Sequence, residues 1–453
     1  MGARLTDAGP FAHLWGSDEV RALLDDDGRL RIWLAILAAL ADAQAELGII
    51  PRPAAIAIAG VAPDQLDQNL ITAETRRTSH STLGLIRAVQ QVLPAEAAEF
   101  VYYGVTVQDL TDTWTALTIR EVGAIAWRDL HTIELGLVDL AVAHRSTVMA
   151  GRTHGQPGAP ITFGMKAASW ADEVRRHIER LAQGRDRWLV AQLGGAVGTL
   201  GFFGDDGPRL RALFSQRLGL ADPGVPWLTS RDRIAEFGLL LAMVASTLAR
   251  IGGEVYELQR PEIGELGEPS GPDTVGSITM PHKRNPESSE HLDTLARLTR
   301  ANAGVLLEAM VQAHERDGRG WKAEWAAFPE VCLLTSTALR LGADLVAGLV
   351  VDREAMRRNV EASGGYLASE QVLGALARGL GKHRAQALLR EAFVAGRSRG
   401  RSLVESVAAT GAMPVDDAAR LVAAPAIASA EAAVDTVVDR AHRARAAESE
   451  RWP

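Results

Sequence analysis

Residues 111–146 read TDTWTALTIREVGAIAWRDLHTIELGLVDLAVAHRS, in which Leu130, Ile133, Leu137 and Leu140 recur every three or four positions and neither proline nor a turn cluster intervenes. That period places the apolar side chains along one face of an α-helix. Comparable stretches cover 161–189, 231–259, 286–312 and 324–350. A shorter one, 30–47, aligns Trp33, Leu37, Leu40, Ala43 and Leu47 before Gly48 and Pro51 stop it. Globular helices average about 11–12 residues, so long stripes of this kind bury themselves only against one another, in a bundle. Alternating segments of strand type are scarce, and no internal repeat is evident. The predicted fold class is all-α.

Working outward, the chain has 453 residues with 48 Lys+Arg against 56 Asp+Glu, a net charge of −8 that argues against nucleic acid or an anionic membrane as partner. With 47% hydrophobic and 23% charged residues, it carries enough apolar material for a large core. Cys332 is the single cysteine, which excludes intrachain disulfides and thiolate-rich metal sites. No His-x-x-x-His pair stands in the sequence, so no metal or other cofactor is predicted. The first twenty residues lack the basic start and apolar run of a signal peptide, and the longest apolar run, 234–249, contains Glu236. A cytoplasmic location is the expectation. Gly364-Gly365, Gly379, Gly381 and Gly411 break the last hundred residues into short helical pieces. The expected organisation is an N-terminal helical domain (1–108), a central long-helix domain (109–350) and a small C-terminal domain (351–453), whose charged end, 441–453, is expected to fray.

Three segments do not read as packing. The first, Tyr103-Gly104-Val105-Thr106-Val107-Gln108-Asp109, precedes the longest helix; Thr106 and Asp109 read equally as helix caps or as part of an anion site. The second, Gly151-Arg152-Thr153-His154-Gly155-Gln156-Pro157, clusters polar side chains between two long helices, with glycines that allow close approach of a ligand. The third is a glycine- and proline-rich loop from 264 to 286 that ends Gly276-Ser277-Ile278-Thr279-Met280-Pro281-His282-Lys283-Arg284-Asn285-Pro286. Long loops inside compact domains are usually binding loops. Asn285 reads as an N-cap and Pro286 as the first helical residue, which would turn the positive end of a helix dipole toward the loop. Lys283, Asn285 and backbone N–H groups then suit a site that builds negative charge, with Ser277 as nucleophile or base. No Gly-x-Ser-x-Gly elbow is present, which speaks against a serine hydrolase.

These three blocks, in this order, resemble those of the fumarase/aspartase superfamily, whose signature loop reads Gly-Ser-Ser-x-x-Met-Pro-x-Lys-x-Asn or a close variant. The resemblance covers nearly the whole chain. It implies a three-domain all-α subunit whose long central helices form a 20-helix core in a homotetramer, with each active site built from three subunits. It also implies anti elimination from a succinyl compound to release fumarate, or the reverse. In that chemistry a doubly charged aci-carboxylate must be stabilised. Ser277 would be the base, Lys283 would help hold the intermediate, and His154, with Glu290 orienting an imidazole, would protonate the leaving group. Substrate contacts would fall to Thr106, Gln108, His80, Thr153, Gln156, Met280, Asn285 and Arg316, with Arg300 as a further carboxylate contact.

Two branches are represented at once. His154, His80 and Glu290, seven residues after Lys283, resemble adenylosuccinate lyases. Thr229-Ser230-Arg231-Asp232-Arg233 and the run from His314 to Trp325 resemble bacterial 3-carboxy-cis,cis-muconate cycloisomerases. Trp321 and Trp325 stand where the former carry polar nucleotide contacts, and their early Arg-Tyr pair is missing. Val107 and Ile278 replace hydroxyl residues of the usual blocks. The expectation is therefore a carbon–nitrogen lyase acting on an N-substituted succinate that need not be a nucleotide, nitrosuccinate being one example. The alternatives are a cycloisomerase and a non-catalytic structural homologue.

Overall fold

The computed structural model describes residues 5–271 and 275–452. In chain order the elements used below are α1 (Asp26–Glu46), α2 (Val107–Ala143), β1 (Val148–Thr153), β2 (Gln156–Thr162), α3 (Phe163–Trp188), α4 (Asp232–Leu258), β3 (Leu266–Gly267), α5 (Glu287–Glu308), α6 (Gly318–Ala347), β4 (Val350–Val351), α7 (Arg353–Ala362) and α8 (Ala428–Ala447). Each long periodic stretch is one helix, and the fold is all-α apart from two small ribbons. The ends shift where capping decides them. Asp317 accepts the Arg319 N–H at 3.0 Å, so α6 begins at Gly318, before the apolar period becomes visible.

The bundle forms as the stripes require. α2 packs on α3 and α6, and α4 packs on α5 and α6. Leu130, Ile133 and Leu137 of α2 are buried in one continuous core with Trp170 and Ile178 of α3 and Phe237 and Leu248 of α4. Each such side chain contributes about 1.5–3 kcal/mol of burial.

That core also holds a histidine. His177 of α3 bonds Thr247 through Nε2 at 2.8 Å, and burial, reinforced by Arg180, pushes its imidazole down from 6.5 to about 4. The native state keeps the ring neutral at pH values where the unfolded chain takes up a proton. Stability is therefore full above pH 6.5 and is lost as pH falls from there to about 4, by roughly 3 kcal/mol in total. Replacing His177 by glutamine is expected to flatten that limb of a plot of urea midpoint against pH. An unchanged slope would remove His177 from the acid response.

Two features depart from the sequence reading. The Arg-Thr-His-Gly-Gln block is the tip of an antiparallel hairpin, β1 with β2, rather than a loop between helices. His154 (φ 53°) and Gly155 (φ 74°) both take left-handed backbone, the conformation that two-residue hairpin turns require. The C-terminal tail is docked, not frayed. Glu448 accepts from Arg175 at 2.6 Å and bonds His131 at 2.9 Å, and the Trp452 indole N–H donates to the Leu181 carbonyl. The tail's charge is met by a buried guanidinium, which a reading of the tail alone does not reveal.

Beyond β4, residues 366–422 enclose a small separate apolar cluster around Val372, Leu376, Leu403 and Val407. α8 then returns to the bundle, where Val434 packs on Ala141, Ala167 and Ala168.

Candidate active site

Thr106 is the N-cap of α2, and Asp109 accepts its backbone N–H at 3.0 Å. The same carboxylate accepts the N–H groups of Gly194 at 2.7 Å and Gly195 at 3.1 Å, so the start of α2 is fastened to a distant turn. Burial pushes the Asp109 carboxyl up to about 7, against the pull of these three donors. With its backbone held in this way, Thr106 offers its hydroxyl to Arg316, which donates at 2.5 Å. The Arg316 guanidinium lies over the Trp321 ring, 5.5 Å from its centroid, and Trp321 meets Trp325 edge-on at 4.7 Å. Aromatic contact holds an arginine in place while leaving its other N–H groups free for a carboxylate.

Gln108 lies beneath this surface, not on it. Its side chain is fully buried, and its amide donates to Asp112 at 3.1 Å and to the Leu228 carbonyl at 2.6 Å. It belongs to a buried charge cluster: Arg231 donates to both oxygens of Asp112 at 2.7 and 3.0 Å and to Glu324 at 2.9 Å. This cluster joins α2, α6 and the start of α4. The sequence reading gave no role to Asp112, Arg231 or Glu324. The available signal was Asp112 itself, the one charged residue between 110 and 119 of α2, where a carboxylate demands a partner.

At the hairpin tip Thr153, His154 and Gln156 are exposed, and among the described residues no side-chain hydrogen bond holds them. His80 is exposed as well, its Nδ1 accepting the Leu83 N–H at 3.2 Å.

In the signature loop, residues 272–274 lie outside the described residues. From Gly276 onward the motif closes on itself. The Ser277 hydroxyl accepts the Met280 N–H at 3.1 Å, and the Lys283 N–H donates to the Met280 carbonyl at 3.0 Å. Asn285 bonds Glu287 at 3.2 Å. A Cβ on Gly276 would stand 2.4 Å from the Lys283 carbonyl oxygen and 2.9 Å from the Arg284 Cα, so only glycine allows this approach. Gly276→Ala is accordingly expected to lower turnover at least about tenfold through displacement of Ser277 and Lys283. Its melting temperature should stay within about 2 °C of the parent, because the turn is a surface feature. Unchanged turnover would show that the close approach is dispensable.

The helix after this loop corrects an expectation. α5 begins at Glu287, Pro286 is its non-helical N-cap, and Asn285 makes no cap. The free N–H groups of Ser288 and Ser289 go instead to the carboxylate of Glu268, at 3.1 and 2.7 Å. The positive end of α5 is therefore neutralised from within the chain and is not available to hold substrate charge.

Glu290 is exposed in the first turn of α5, and Arg300 further along donates to Ser246 at 3.0 Å. One chain thus presents Thr106 with Arg316, the tip residues Thr153, His154 and Gln156, and the turn carrying Ser277, Met280, Lys283 and Asn285 as three groups. Among the described residues no hydrogen bond or ion pair joins one group to another.

The arrangement of long helices, histidine hairpin and serine loop has known counterparts. Residues 14–298 match the family described as Lyase. The chain belongs to this lyase family, within the fumarase/aspartase superfamily. The lyase is 38% identical over 402 residues to N-acetyl-S-(2-succino)cysteine lyase of Dickeya dadantii (strain 3937), with 88% of each chain covered. It is 36% identical to adenylosuccinate lyase of Methanothermobacter thermautotrophicus, over 88% of this chain and 90% of that one. To nitrosuccinate lyase of Streptomyces davaonensis it is 37% identical, over 90% and 88%. The crystal structure of 3-carboxy-cis,cis-muconate lactonizing enzyme from Pseudomonas putida superposes on it with a TM-score of 0.89 at 33% identity, covering 96% of this lyase and 99% of that chain.

Proposed function

We propose that this enzyme carries out an anti β-elimination on a succinyl adduct, breaking a bond from carbon to nitrogen and releasing fumarate. Three separate groups, each with part of the necessary chemistry and none joined to another among the described residues, are the observation that carries this reading. They combine in a cytoplasmic homotetramer, where each active site takes the Thr106–Arg316 pair from one subunit, the His154 hairpin from a second and the Ser277 loop from a third.

Ser277 removes the proton next to a substrate carboxylate. The Met280 N–H directed at its hydroxyl oxygen favours the deprotonated form that a base requires. Charge then accumulates on the aci-carboxylate, where Lys283 supplies a cation and Asn285 an amide donor. Arg316 and Thr106 bind a carboxylate of the succinyl part, and Trp321 and Trp325 give the neighbouring wall an aromatic rather than a nucleotide-binding character. His154 gives its proton to the departing nitrogen, with Glu290 of another subunit orienting an imidazole. The C–N electron pair leaves with the amine, the C=C bond forms, and the serine returns its proton to solvent.

A sulfur leaving group is the second reading, favoured by the 38% identity to an enzyme named for a succinylated cysteine. Fumarate release, followed by ultraviolet absorbance and confirmed by mass, decides among the readings. The panel is adenylosuccinate, argininosuccinate, nitrosuccinate, N-acetyl-S-(2-succino)cysteine and 3-carboxy-cis,cis-muconate. Fumarate from a nitrogen adduct is the expected result, and fumarate from the thioether alone would move the leaving group to sulfur. Loss of carboxymuconate without fumarate would overturn elimination in favour of cycloisomerisation.

A further inference from the structure

The carboxylate of Glu265 is completely buried and receives Arg152 through two hydrogen bonds of 2.8 Å each. Asn359 of α7 donates to the same carboxylate at 2.8 Å and to the Ile263 carbonyl at 2.9 Å. The backbone of Glu265 is fixed as well, its N–H donating to Leu258 at the end of α4 and its carbonyl accepting from Asp352, just before α7. This junction adjoins two of the three groups of the proposed site. Arg152 stands two residues before His154, beside the register shift of the hairpin. Glu265 stands three residues before Glu268, whose N–H is held by Gln259 at 2.7 Å and whose carboxylate caps α5 at the far side of the serine loop. Gln259 in turn reaches the Arg284 carbonyl at 3.5 Å, inside the signature motif.

We infer that Glu265 is a positioning residue whose buried carboxylate ties the histidine hairpin to the base of the serine loop. Beyond Arg152 the hairpin tip has no side-chain hydrogen bond of its own among the described residues, so the Arg152–Glu265 fork sets the direction in which His154 projects. A planar guanidinium gripping both carboxylate oxygens fixes angle as well as distance. The same carboxylate anchors the chain as it enters the loop that delivers Ser277. On the proposed assembly, His154 and Ser277 of one subunit serve different active sites, and Glu265 therefore keeps two sites in register. This contrasts with the more deeply buried pair of Arg175 and Glu134, which joins neighbouring bundle helices and touches neither segment.

The inference rests on the roles proposed for His154 and Ser277, and its test is chosen to separate the two claims. Hydrogen–deuterium exchange of the full-length protein is compared with that of Glu265→Gln, which replaces one acceptor oxygen by a donor facing Arg152. Peptides over 148–156 and over 275–290 are expected to exchange roughly ten- to hundredfold faster together, the change produced by losing a charge-assisted hydrogen bond. Peptides from the middle of α2 and α4 should be unaffected. On whichever adduct yields fumarate, kcat is expected to fall with KM within about threefold, since misplaced groups act on the transition state more than on ground-state binding. Arg152→Lys keeps the charge but not the fork; it should show the same pattern more weakly and stands in if Glu265→Gln does not fold. Faster exchange of the hairpin alone, of neither segment, or of α2 and α4 as well would overturn the tie. If the wild-type protein releases fumarate from no adduct, the proposed elimination fails while the exchange data still decide whether Glu265 links the two segments.

Discussion

Replacement of Ser277 by alanine is expected to lower fumarate release by about 10²–10⁴-fold or more, the contribution typical of a positioned general base. Among the described residues of its own chain, no neighbour can take its place. Among the described residues the nearest hydrogen-bonding partner of its hydroxyl is the Met280 N–H, which donates and cannot accept a proton. Thr279 is exposed, and the proposed part of Lys283 is that of a cation, not a base. Stability should change by less than about 0.5 kcal/mol, because Ser277 is a partly exposed loop residue with a single local bond. Activity and fold can therefore be separated in one variant. The sharper readout is exchange of the substrate's β-proton with deuterated solvent, which is expected to vanish with turnover if Ser277 is the base. Turnover within tenfold of the parent would remove Ser277 from that role, and loss of turnover with proton exchange retained would assign it to a later step.

The sequence made the bundle legible because helical periodicity is local: Leu130, Ile133 and Leu137 announce their face without knowledge of what covers it. It made the three blocks legible because glycines and clustered polar side chains stand out against that periodicity. What stayed hidden was decided by residues far apart in the chain. Asn285-Pro286 is a good local start signal for a helix, yet α5 is capped by Glu268, twenty residues upstream of Ser288, because the loop folds back and brings a carboxylate to those N–H groups. The hairpin escaped notice because Pro157 and Pro160 break the alternating pattern, and its turn is specified mainly by His154-Gly155. Gln108 reads as a ligand contact in a polar block, but the cluster that claims its amide is completed by Arg231 and Glu324, more than a hundred residues away. Residues that meet solvent or substrate at a turn carry local signals; residues that pair inside the core do not.

That buried cluster gives the largest expected effect on stability. Arg231 is fully buried between Asp112 and Glu324, both nearly fully buried, so the three groups carry two negative charges and one positive. Removing the guanidinium in Arg231→Met leaves two carboxylates facing each other in the interior. Breaking a buried ion pair from one side typically costs about 3–5 kcal/mol, and the Gln108 amide that remains is a neutral donor. Glu324→Gln should cost less, because Arg231 keeps both bonds to Asp112. The sign of the pH dependence separates a charge effect from a packing effect. Burial already pushes the Glu324 carboxyl up, opposed by Arg231, and losing the arginine lets it rise further. In the variant Glu324 then binds its proton more tightly in the folded state than in the unfolded one, so this contribution to stability is greatest at low pH and is lost as pH rises through the raised value. The deficit of Arg231→Met relative to the parent should therefore be larger at pH 8 than at pH 5 in urea unfolding at fixed protein concentration. A deficit independent of pH would mean that Arg231 contributes mainly its volume. Because the cluster underlies the start of α2, the same variant should raise KM for the substrate even where it remains folded, as the Thr106 hydroxyl and Arg316 lose their fixed platform.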